Sequence, residues 1–74
     1  MTHREIIGKQ LAALRKEQGL TVRQLAERCG LDPANISKIE NGKYNVSIDI
    51  LQRVCDALGA DIKIIGKGVS DGEA

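Results

Sequence analysis

Apolar residues recur at helical spacing in four stretches of this 74-residue chain, and a capping residue and a glycine bracket each stretch. Thr2-x-x-Glu5 has the form of a capping box, in which hydroxyl and carboxylate satisfy backbone amides reciprocally, and it opens a first helix. Ile7, Leu11, Leu14 and Gln18 fall on one face of that helix, and Gly19 ends it. Thr21-x-x-Gln24 is a second capping box and Gly30 a second stop, enclosing a helix of about two turns. Asp32-Pro33 follows, an N-cap carboxylate before a proline suited to the first helical position. This third helix, over about 32–41, turns Ile36 and Ile39 inward and ends at Asn41-Gly42. A loop, Lys43 to Val46, leads to Ser47, the cap of a fourth helix. Its stripe is Ile48, Leu51, Val54, Cys55 and Leu58, closed by Gly59. Asp61 to Gly66 is β-branched and roughly alternating, which predicts one short strand. Residues 67–74 are small, polar and unpatterned, as in a disordered tail. The pattern predicts an all-α domain of four to five helices over 1–60, a C-terminal β-strand over 61–66 and a tail over 67–74.

Length and composition fit one folded unit. Apolar residues make up 42% and charged residues 28%, the balance of a soluble globular chain. No apolar run approaches the ~20 residues of a membrane span, and Met1-Thr2-His3-Arg4-Glu5 lacks the apolar core of a secretory signal. The two cysteines, Cys29 and Cys55, form no CxxC pair and suggest neither a disulfide framework nor a zinc site. These features point to a cytoplasmic protein with no membrane partner, in which both thiols act as small core hydrophobes.

Catalysis is not expected. A ligand pocket needs about 300–1,000 Å³, which is hard to enclose in so short a chain. The single histidine, His3, stands at the N-terminus with no Ser/His/Asp or Cys/His set around it, and reads as an exposed residue without a role. The eight glycines form no phosphate-cradling loop. No cofactor and no metal are implied. Net charge is only +1, but its distribution is uneven. Residues 1–30 carry six Lys/Arg against three Glu, whereas residues 46–74 carry three Lys/Arg against five acids. Such a chain presents a basic end to an anionic partner.

The second and third helices lie only about three residues apart, the spacing of a helix-turn-helix. Ala26 is small where the helices cross closely, Gly30 permits a positive φ, and Leu25, Cys29, Leu31, Ile36 and Ile39 are apolar where the helices face each other. The stretch Leu20-Thr-Val-Arg-Gln-Leu-Ala-Glu-Arg-Cys-Gly-Leu-Asp-Pro-Ala-Asn-Ile-Ser-Lys-Ile-Glu-Asn-Gly-Lys43 resembles the helix-turn-helix domains of the Cro and lambda-repressor class, the XRE-like family, almost position for position. The resemblance covers about residues 4–60. It implies a lambda-repressor-like fold and a sequence-specific DNA-binding transcriptional regulator, most often a repressor.

With Ile36 and Ile39 inward, the outward positions of the third helix are Pro33, Ala34, Asn35, Ser37 and Lys38, and these are the candidate base readers in the ~12 Å major groove. Asn35 can pair bidentately with adenine, and Lys38 can donate to guanine. The family reads bases with the first residues of this helix, which map onto Pro33, Ala34 and Asn35. Many relatives carry polar side chains at the first two of these positions and glutamine at that of Val22, so readout here leans toward thymine methyls and DNA shape. Candidate phosphate contacts are Thr21 and Arg23 on the second helix and Asn41, Lys43, Tyr44 and Asn45 after the third. Tyr44 has the alternative of covering the core edge, and Lys38 and Lys43 that of plain solvated charges. The resemblance further implies a partly buried ion pair between Arg15 and Glu40.

A lone strand has no partner inside a helical domain, and its free edge is a hazard. Pairing with a second copy satisfies the amides and buries Ile62, Ile64 and Ile65, so a homodimer is expected, like some antitoxin repressors of this family. The alternative is that 61–66 folds back as a loop and the fourth helix forms the dimer. Double-stranded DNA is the expected partner, read as a palindromic operator by two third helices about 34 Å apart. Rival readings are an antitoxin that also holds a toxin, and a protein-interaction module that has lost DNA binding.

Overall fold

The computed structural model describes residues 1–68, over which the chain forms four helices: α1 His3–Glu17, α2 Val22–Cys29, α3 Pro33–Glu40 and α4 Ile48–Leu58. Each starts on the residue the pattern assigns. Both capping boxes close, with Glu5 N–H donating to Thr2 Oγ1 at 3.3 Å and Gln24 N–H to Thr21 Oγ1 at 3.0 Å. Asp32 accepts from Ala34 N–H at 2.9 Å, and Ser47 accepts from Ile50 N–H at 3.1 Å. Residues 69–74 lie outside the described residues, and with them most of the predicted tail.

The core is a single cluster in which Leu25, Ile36 and Val54 are the largest fully buried side chains. Leu11 and Leu20 enter it from α1 and its exit, Ala26 and Cys29 from α2, Ile39 from α3, and Leu51, Cys55 and Leu58 from α4. α1 packs on α3 and α4, and α2 packs on the same two helices, so α3 is held from two sides. The architecture is the expected all-α, lambda-repressor-like one.

Two departures matter. Ile48, assigned to the inner stripe of α4, is 75% exposed, and Ile50 takes the partly buried place. As the first residue of the helix, Ile48 has no preceding turn of α4 to pack beside. The predicted strand is not formed: residues 61–66 adopt no regular element, because a strand needs a neighbouring edge and no described residue offers one.

Candidate nucleic-acid interface

The turn between α2 and α3 is set by chemistry local to it. Gly30 caps α2 at φ 69°, a left-handed conformation that side chains disfavour, and Leu31 N–H donates back to the Ala26 carbonyl at 2.9 Å. Asp32 then starts α3 at once. Leu25 and Ala26 on one helix and Ile36 and Ile39 on the other are buried, and Leu31 is half-buried between them.

An arginine secures this turn from behind. Arg53 on α4 donates through Nη2 to the Cys29 carbonyl at 2.6 Å and reaches the Gly30 carbonyl at 3.4 Å. A cation thus sits on the free carbonyls at the negative end of α2. The far end of α3 rests on α1. A methyl group at Gly8 would collide with the Ile39 carbonyl and lie 2.6 Å from that of Glu40, so the backbones touch where Gly8 has no side chain. Gly42, at φ 69°, meets Glu5 in the same way, a Cβ there lying 2.7 Å from Glu5 Cγ. Beside these contacts Arg15 forms a two-pronged pair with Glu40, Nε to Oε2 at 2.6 Å and Nη2 to Oε1 at 3.0 Å. Its Nη1 donates to the Leu20 carbonyl at 2.8 Å. The two side chains are only 11% and 10% exposed. The hydrogen bonds to Glu40 hold the guanidinium's proton more tightly than an ordinary arginine's.

What remains of α3 faces outward. Pro33, Ala34, Ser37 and Lys38 are exposed and Asn35 is half-buried at the margin of that face. Thr21 and Arg23 are exposed at the start of α2, and Asn41, Lys43 and Asn45 are exposed after α3. Asn41, Lys43 and Asn45 follow directly on the C-terminal end of α3. Asn41 has part of its capacity committed, since Nδ2 donates to the Ser37 carbonyl at 2.8 Å. Tyr44 is half-buried and packs against the core, so its ring does cover the core edge.

Two residues of consequence have no role in the sequence pattern. Arg53 gives no local signal, because its partners lie 23 and 24 positions earlier. Arg4 is exposed in the first turn of α1 and shares a cleft with Tyr44 and Asn45. A cation in a first helical turn opposes the helix dipole, and that local misfit is the signal which marks it. Neither cysteine is placed to act: both are buried, and burial raises both thiol pKa values above the ordinary value.

Comparison with known proteins agrees with this geometry. Residues 11–65 match the family model described as Helix-turn-helix. Over 59 residues the chain is 39% identical to the immunity repressor protein of Bacillus phage phi105, covering 80% of this chain and 41% of that one. Over 42 residues it is 57% identical to the HTH-type transcriptional repressor RghR of Bacillus subtilis, covering 57% of this chain and 31% of RghR. The chain therefore spans less than half the length of these two relatives. Among solved structures, the clp gene regulator ClgR from Corynebacterium glutamicum superposes with a TM-score of 0.81 at 39% identity, over 84% of this chain and 80% of that one. The buried faces of α2 and α3, the glycine turn between them and these matches together place the chain in the helix-turn-helix family of transcriptional regulators.

Proposed function

We propose that this chain is a sequence-specific DNA-binding repressor that works in the cytoplasm as a homodimer on a palindromic operator. One observation carries the reading: α3 is packed on α1 and α2, Arg53 of α4 fixes the turn that leads into it, and its outer face stays exposed. A helix held so firmly and left open on one side suits insertion into a major groove. In this reading Pro33, Ala34, Asn35, Ser37 and Lys38 meet base edges. Thr21, Arg23, Asn41, Lys43 and Asn45 meet phosphates, and Tyr44 adds its hydroxyl at the margin. Arg4, beside the Tyr44–Asn45 loop, adds a further cation to the backbone track. The dimer is supported by the exposure of Ile62, Ile64 and Ile65 at 48%, 98% and 61%, a density of exposed isoleucine that a free monomer rarely keeps.

Selection from a random DNA library, followed by titration at several salt concentrations, tests the proposal. The expected result is an enriched palindrome with half-sites about one helical turn apart. Lys43→Ala then weakens binding to all sequences and flattens the salt slope by about one unit. Asn35→Ala costs about 1–3 kcal/mol on the operator and relaxes specificity at one base pair. Equal losses on random and selected DNA for both variants would overturn the division into base readers and phosphate contacts. No enrichment and no salt dependence would favour a protein-interaction module that has lost DNA binding.

A further inference from the structure

The exposed isoleucines are not scattered. Ile48 at the start of α4, 75% exposed, lines a shallow groove with Gln52, Cys55, Asp56 and Ala60, and Asp61, Ile62 and Ile64 border the same groove. Among the described residues no backbone hydrogen bond joins 61–66 to the rest of the chain. An apolar groove and an unpaired segment therefore lie side by side on one surface.

Resting on the homodimer proposed above, we infer that two copies pair their 60–64 segments antiparallel about Ile62, with Asp61 facing the partner's Lys63 twice and each Ile64 seated at the partner's Ile48 groove. Self-pairing allows only a few registers, each defined by the residue that meets its own copy on the two-fold axis. An axis at Asp61 or Lys63 sets like charges directly opposite each other, which is unfavourable. Axes between residues set isoleucines against charged side chains, because directly opposed residues share a face. An axis at Ile64 needs the pairing to run through Lys67, where the chain already turns into Gly68 at φ 80°. That axis also leaves the Ile48 groove unfilled. An axis at Ile62 meets none of these objections. It makes two Asp61–Lys63 pairs on one face and joins Ile62 to Ile62 on the other. On that second face it also sets Ile64, the most exposed isoleucine, against the partner's Ala60, a residue of the groove wall. The charges and the apolar residues of this short segment match a second copy of itself, and that match selects a second copy over an unrelated protein.

Sedimentation equilibrium at low salt on four proteins tests the register: the native chain, Asp61→Lys, Lys63→Asp and the double variant. Each single change puts like charges opposite each other twice and is expected to weaken the dimer about tenfold, whereas the double variant returns to roughly the native affinity. Circular dichroism checks that all four remain helical. In parallel, oxidation of Ile62→Cys should link two chains faster than oxidation of Lys63→Cys or Ile64→Cys. The native chain, whose cysteines are buried, serves as the control. A dimer that ignores the single charge changes, or cross-links best at position 64, overturns this register and leaves the dimer standing. A native chain that sediments only as a monomer overturns both.

Discussion

Glu5 holds two structures at once. Its carboxylate accepts from Thr2 N–H and Thr2 Oγ1, each at 3.0 Å, and so completes the cap of α1. Its Cα and Cγ form the surface on which Gly42 lies. The backbone hydrogen bond from Thr2, then the one from its hydroxyl, lowers the Glu5 pKa from 4.5. A lowered folded-state value means stability that is present above the unfolded pKa and lost as pH falls through the folded one. Melting temperatures of the native chain and of Glu5→Gln should therefore differ at neutral pH and converge on acidification below 4.5. Gly8 makes a sharper case. Alanine is ordinarily the better helix former, yet Gly8→Ala forces a methyl into the Ile39 and Glu40 carbonyls and should destabilise the fold by about 1–3 kcal/mol in chemical denaturation. The caps are legible in the sequence because a capping box is complete within four residues. Gly8 shows only as a glycine inside a helix, since the backbone it touches lies some thirty positions away.

At the scale of elements, the seam between α2 and α4 depends on Arg53. Arg53→Met keeps the apolar stem and removes the donors from the Cys29 and Gly30 carbonyls, which should cost about 1–2 kcal/mol in denaturant titration. Because Arg53 holds the carbonyls at the turn from which α3 starts, the ratio of operator to random-DNA affinity should also fall well below the melting temperature, and Arg53→Lys should restore part of it. Periodicity located all four helices, because each buries one face and announces it at a 3.6-residue period. It misplaced Ile48 because the first turn of α4 offers Ile48 and Ile50 to two different faces, and the pattern alone does not say which one the entering chain covers. The 61–66 segment exposes a different limit. Alternating β-branched residues express a preference for a pleated surface, but a strand also requires a second edge, and the alternation does not say where that edge comes from. The outer face of α3 could be read residue by residue, since it is whatever Ile36 and Ile39 leave free. Arg53 could not, since its partners depend on how distant elements meet.

For the molecule as a whole, the two thiols tie stability to alkaline pH. Burial, the first cause at both Cys29 and Cys55, raises each thiol pKa from 9.0, and at Cys29 the charge of Arg53 offsets part of the rise. Raised folded-state values give stability that is complete below the unfolded pKa and lost as pH climbs through the folded one. Melting temperature should accordingly fall above about pH 9, and a Cys29→Ala/Cys55→Ala chain should show a shallower alkaline decline. The anchoring of α3 has a consequence for how such a protein diversifies. The contacts that hold the helix are made by its inner side chains, its backbone, the Asp32 cap and Glu40, and among the described residues no hydrogen bond is made by the side chains of Pro33, Ala34, Ser37 or Lys38. Substitutions on that outer face should carry little folding cost, so what this surface touches can change while the scaffold beneath stays the same. The molecule separates a fixed frame from an exchangeable inscription, and an engineer can replace the four outer residues with another set without first having to repair the fold.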